Sequence, residues 1–333
     1  MRPGEGRTLG WGRDPQESWV WPREFKILQK ICPDWLKRKW PSVFRVLWPE
    51  SWRSLAPPLH IAAALLALII YSMTHVLYGF MCQIFITQYR CPYMVPLTFA
   101  QVVVSLLLLQ ALHASGRVTL LPCSLRLAER LLVPSICGAI QSVLALWAEV
   151  NASYGLYPLL MSLLPMLCVG WTHVLGLALP PSKPTTFLLS VITLISLTIT
   201  GMKGVLMPES LGFLYAPLSL LLQSVSLSWL AKVAEDEGGG AQELASLLDI
   251  CFSLTVNKSL VLGFLCLLHP DGSRLLTEGS WHSALFLGYL LGLLLLGALQ
   301  HLLLAMAALH VSPLAAALLT SAYALAMPFS NLL

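Results

Sequence analysis

About nine apolar runs, each long enough to cross a bilayer, follow one another from residue 59 to residue 333. About 20 apolar residues in a helix span the hydrocarbon core of a membrane. Only helices or closed barrels satisfy the backbone there, and these runs are too long and too leucine-rich for barrel strands. A hydrophobic fraction of 57%, a charged fraction of 11% and a mean hydropathy of +0.75 leave too little polar residue to coat a water-soluble domain of this length. The sequence therefore predicts an all-α polytopic membrane protein. Spans are expected near 59–81, 94–113, 130–149, 154–179, 185–203, 211–232, 244–268, 282–309 and 312–331.

The charges are unevenly placed. Eleven of the twenty Lys and Arg residues precede residue 54. With the N-terminus cytosolic, Arg117, Arg126, Arg130, Lys183 and Lys232 join them on one side, which faces only Arg90, Lys203 and Arg274 on the other. Sixteen against three predicts a cytosolic N-terminus, because short cytosolic loops retain cations. Residues 1–57 form a separate cytosolic segment and residues 58–333 the membrane domain. The segment is polar, without the continuous apolar core of a cleavable signal, so the first span is expected to act as a signal anchor. Seven of the eleven tryptophans lie in it among Lys and Arg. Two readings stay open: a segment lying on the lipid headgroups, or an irregular tail interrupted by Pro22, Pro33, Pro41 and Pro49.

The eight cysteines form no C-x-x-C pair and no Cys/His cluster at zinc spacing. Cys82 and Cys91 flank a short connection, and a disulfide between them is the less favoured reading. No Ser-His-Asp set, paired carboxylates, P-loop or metal motif is present, so neither an enzyme nor a cofactor is expected, and no basic stripe points to nucleic acid. Ionisable groups inside spans are costly and mark functional candidates: His75, Glu149, His173, Lys203, Asp249, Lys258 and His301. Glu149 and Lys203 sit at span ends, where snorkelling suffices, and Asp249 is expected to be solvated near a cytosolic end. Lys258 lies about 14 positions into its span, too deep to snorkel, and is the foremost candidate.

Several passages resemble nucleotide-sugar transporters, in the UDP-sugar, solute-carrier branch of the drug/metabolite transporter superfamily. Gln88-Tyr89-Arg90-Cys91-Pro92 with Gln101 resembles that family's T-x-Y-x-F-P … G-Q passage. The basic loop before the third span is similar, as are Leu179-Pro180-Pro181-Ser182-Lys183-Pro184, Gly201, Glu209-Ser210-Leu211-Gly212-Phe213 and Asn257. Val311-Ser312-Pro313-Leu314 resembles the family's N-S-A-L-T. The likeness covers roughly residues 65–333 and rests on the order of these passages.

The resemblance implies a ten-helix antiporter of the Golgi or endoplasmic reticulum membrane, built from two halves of inverted topology with the substrate between them. It would exchange a cytosolic nucleotide-sugar for a lumenal nucleoside monophosphate. It implies a substrate site at Lys258, Asn257, Gln101, Tyr157 and Tyr323, the tyrosines stacking on a base or sugar. The lipid bilayer is the expected partner, and a homodimer is the assembly to test. The chain departs from the family pattern where cations are needed for a diphosphate: those positions fall at Cys82-Gln83, Met161-Ser162 and Tyr323-Ala324, all neutral. With nine spans the second half of the inverted repeat is expected to be incomplete. These departures leave two other functions open: a non-transporting relative that scaffolds or regulates a partner in the membrane, and a carrier of a less charged solute.

Overall fold

The computed structural model describes residues 58–89, 93–116, 118, 120, 124–151, 156–177, 181–202, 212–237, 243–270 and 281–330. Residues 1–57 lie outside them, with both readings of that segment. Among the described residues there are helices and no strand. The helices are α1 (Pro58–Tyr89), α2 (Met94–Ala114), α3 (Leu125–Arg130), α4 (Leu132–Asn151), α5 (Leu156–Met161) and α6 (Leu164–Val174). They continue with α7 (Lys183–Met202), α8 (Gly212–Glu237), α9 (Glu243–Leu268), α10 (Ala284–His310) and α11 (Pro313–Ser330).

Local chemistry sets many of the boundaries. The Ser124 hydroxyl accepts from Leu127 N–H to open α3, and Ser283 accepts from Phe286 N–H to open α10. Ser182 and Ser312 do the same before α7 and α11, accepting from Thr185 and Ala315. A serine oxygen there satisfies one of the donors that a helix start leaves unpaired. Gly116 and Gly176 follow α2 and α6 with φ of 69° and 60°, the left-handed conformation that ends a helix and favours glycine.

Three boundaries differ from the sequence expectation. The first helix runs on to Tyr89 rather than ending near 81. The basic loop before the third span contains the short helix α3. The fourth span, expected as one helix, is broken between Met161 and Leu164. Pro165 accounts for the break: it offers no N–H, and its ring collides with the carbonyl four residues back, that of Met161.

Among the described residues four helical stretches are long and apolar enough to cross a membrane: Met94–Ala114, Leu214–Glu237, Leu247–Leu268 and Ala284–His310. Shorter apolar stretches in α1, α4, the α5–α6 pair, α7 and α11 accompany them. The distribution of side chains fits a multi-pass membrane protein. Met73, Phe80, Leu107, Phe187 and Leu260 are more than half exposed, whereas Ser105, Ser135, Ser196, Ser219, Ser228 and Ser321 are buried. Lipid offers no hydrophobic drive for burying leucine, so small and hydroxylated residues take the helix contacts. Ser226 donates to the Pro134 carbonyl at 2.9 Å and joins α8 to α4; Trp171 Nε1 donates to Ser224 at 3.1 Å and joins α6 to α8.

Two large apolar clusters, with two smaller ones beside them, hold the bundle. The larger gathers Leu109, Leu131, Leu164, Leu227, Leu230, Ile250, Leu254 and Leu309, from α2, the α3–α4 junction, α6, α8, α9 and α10. The other gathers Tyr78, Cys82, Phe85, Met94, Leu97, Leu146, Phe286 and Leu293, from α1, α2, α4 and α10. Phe85 and Phe286 pack within it as a tilted pair, with centroids 5.2 Å apart and ring planes 30° apart. Cys82 is buried in that cluster; Cys91, the other residue of the less favoured disulfide reading, lies outside the described residues.

Candidate functional site

A cavity of about 130 Å³ lies between the two clusters and shares residues with each: Tyr78 and Leu146 with one, Leu227, Leu230 and Leu254 with the other. Helical periodicity explains which side chains meet there. From α1 come Tyr71, His75 and Tyr78, and from α4 come Gly138, Gln141, Ser142 and Ala145, residues three or four apart on one face. Helix α5 contributes Tyr157 and Met161 at the same spacing, α8 contributes Gln223 and Ser226, and α9 contributes Leu254 and Lys258. Gln101 of α2, Gly297, Gln300 and His301 of α10 and Thr320 of α11 complete the polar lining.

Among the described residues the lining holds one lysine, two histidines, four glutamines, three tyrosines and no carboxylate. Lys258 carries the cation, and His301 is close enough to interact with it electrostatically. The described ion pairs lie elsewhere: Arg130 with Glu237 at 2.6 Å, and Lys232 with Glu235 and Asp236. A cation among amides, phenols and hydroxyls suits an anionic group on a ligand that also hydrogen-bonds.

Gln101 is anchored before any ligand arrives. Its Nε2 donates to the Tyr78 hydroxyl at 2.9 Å and to the Leu293 carbonyl at 3.2 Å, which ties α2 to α1 and α10. Ser105, one turn on, reaches the Ala298 carbonyl at 3.3 Å.

The residues expected at a site divide. Lys258, Gln101 and Tyr157 meet at the cavity. Asn257 does not: it donates from Nδ2 to the Ala128 carbonyl at 2.8 Å and so ties α9 to α3. Successive helical residues point about 100° apart, which is why Lys258 faces inward and Asn257 does not. The side chain of Tyr323 lies outside the described residues, as do those of Glu149 and Lys203. Asp249 is 8% exposed, not solvated, because that end of α9 enters the larger apolar cluster through Leu247 and Ile250. His75 and His301 line the cavity, while His173 is exposed away from it.

The glutamines at 141, 223 and 300 and the tyrosines at 71 and 78 escaped the sequence reading, because an uncharged polar residue in an apolar run is common. A signal for two of the glutamines was present: Gly138-Ala139-Ile140-Gln141 in α4 repeats as Gly297-Ala298-Leu299-Gln300 in α10. No protein-family model matches this chain, and no curated protein sequence matches it either.

Proposed function

We propose that the chain is a membrane carrier of the drug/metabolite-transporter type, a nucleotide-sugar antiporter of the Golgi or endoplasmic reticulum working by alternating access. The observation that carries this reading is the polar cavity between two apolar clusters, lined by both early and late helices. On this reading the two apolar clusters act as the plugs, and release to one side requires loosening one of them.

The helix contacts favour two halves of inverted topology. Pairing α1 with α8, α2 with α9, α4 with α10, and the α5–α6 pair with α11 maps one set of contacts onto another. The α4–α8 contact maps onto α10–α1, and α4–α9 onto α10–α2. The α2–α9 and α6–α11 contacts map onto themselves. On this reading the α5–α6 pair is one broken crossing, the chain makes nine spans, and α7 is the helix without a counterpart. The N-terminus is cytosolic, in accord with the Lys and Arg bias.

The cavity also favours a carrier of a less charged solute. One lysine faces it, and its volume of about 130 Å³ is well under the roughly 300–1,000 Å³ of sites for drug-sized ligands. Uptake of labelled UDP-, GDP- and CMP-sugars, with uridine and a free sugar acid alongside, into proteoliposomes separates the readings. Exchange of a nucleotide-sugar that is lost in Lys258→Ala supports the antiporter. Uptake of the sugar acid alone supports the less charged substrate. Absence of uptake for every compound overturns the carrier reading and leaves a non-transporting relative.

A further inference from the structure

The repeated Gly-Ala-Ile/Leu-Gln passage occupies matching places in the cavity wall. Gly138 and Gln141 of α4 line it, as do Gly297 and Gln300 of α10. Each glycine lies under the end of a long polar side chain from a neighbouring helix. A Cβ on Gly138 would sit 2.7 Å from Lys258 Cε, 2.8 Å from Nζ and 2.9 Å from Ser226 Oγ. A Cβ on Gly297 would meet the amide of Gln101, 2.8 Å from its Oε1 and closer still to its carbon. Carbon atoms do not approach polar atoms this closely, so any larger residue displaces the side chain above it.

Lys258 and Gln101 therefore occupy equivalent seats. Lys258 crosses from α9 onto α4, and Gln101 crosses from α2 onto α10. The same correspondence sets His301, which follows Gln300, against Ser142, which follows Gln141. The Lys258 end therefore lies over α4, beside Ser226, and the Gln101 amide lies over α10, the helix that carries His301.

We infer that Gly138 and Gly297 are positioning residues, matched seats that fix the Lys258 ammonium over α4 and the Gln101 amide over α10 and so hold the cation of the cavity in one place. The ligand class follows: a solute with one anionic group for Lys258 and uncharged hydrogen-bonding groups for the glutamines, tyrosines and hydroxyls around it. This rests on the reading of the cavity as a ligand site. Either glycine replaced by alanine pushes the long side chain off its seat. The ends of Lys258 and Gln101 differ in freedom, because Gln101 is held by Tyr78 and Leu293. No described ion pair joins Lys258.

The test uses the full chain in lipid and reads the position of Lys258 directly, through its acylation by a small amine reagent followed by peptide mass spectrometry. In Gly138→Ala the displaced ammonium moves toward the open cavity, and Lys258 acylation rises on the order of fivefold. Gly297→Ala leaves it unchanged. Inorganic phosphate slows the wild-type reaction relative to chloride at equal ionic strength, and does so less in Gly138→Ala. A thermal-unfolding cycle guards against simple misfolding. Stability lost in Gly138→Ala returns in part when Lys258→Ala is added, Ser226 still meeting the new Cβ, and that lost in Gly297→Ala returns with Gln101→Ala, but neither returns with the other partner. Equal acylation in wild type and Gly138→Ala, equal effects of the two glycine variants, or rescue by the wrong partner overturns the seats. Phosphate without effect overturns the seated lysine as the place for an anionic group. Intact glycine coupling with no transport removes the carrier reading alone, and intact transport without coupling removes the seats alone.

Discussion

Among the described residues Lys258 is the Lys or Arg side chain that lines the central cavity, and it does so beside four glutamines and two histidines. A lysine placed two to three turns inside an apolar helix costs a few kcal/mol at insertion, which an uncharged residue would avoid. That cost is offset where a ligand anion uses the charge. Lys258→Met is expected to lower the initial rate of solute uptake on the order of tenfold, and Lys258→Arg to keep part of it, because the charge remains while the ammonium geometry is lost. Proteoliposome uptake at matched protein density checks both; equal rates for Lys258→Met and wild type would remove the lysine from the mechanism. Burial sets a second expectation at this scale. Leu262 is fully buried against Val102 and Ala139, and Leu262→Ala is expected to cost about 2–5 kcal/mol. Thermal unfolding in detergent would read the loss.

At the scale of elements, the break between α5 and α6 positions Tyr157 and Met161 at the cavity. Leu163 N–H turns back to the Leu160 carbonyl at 2.9 Å, and α6 begins afresh with Pro165 in its first turn. Replacing Pro165 by Ala restores a donor and removes the ring, so α5 and α6 are expected to join into one helix. Hydrogen exchange of the amides around 162–166 would slow, and Tyr157 would be re-aimed. Unchanged exchange there would show that the break is held by tertiary packing instead. The Arg130–Glu237 pair links the ends of α3 and α8 with both side chains more than one-third exposed. An exposed pair of this kind is worth about 0–1 kcal/mol and is screened by salt. Glu237→Gln should therefore barely change thermal stability, and any change should vanish at high ionic strength.

For the whole molecule, the proposed orientation makes the loop after α8, which follows the Arg130–Glu237 pair, cytosolic. An epitope at the N-terminus and one at residue 239 are expected to be reached from the same side of sealed microsomes, and one at residue 275 from the other. Opposite labelling of the first two would overturn the nine-span topology. The sequence by itself determined the class of protein: apolar runs of helical length admit only helices in lipid. It also determined most helix positions, because serine caps, glycines and prolines act locally. Lys258 was legible too, since its depth follows from counting along one helix. Only the tertiary structure decided what Lys258 faces, that Asn257 turns to Ala128 instead, and that Asp249 is buried. Those outcomes depend on which helix lies alongside α9, and in lipid every face of an apolar helix reads alike. The glutamines, His75 and His301 became a site for the same reason: their chemistry is ordinary singly and acquires meaning when eight helices line one cavity.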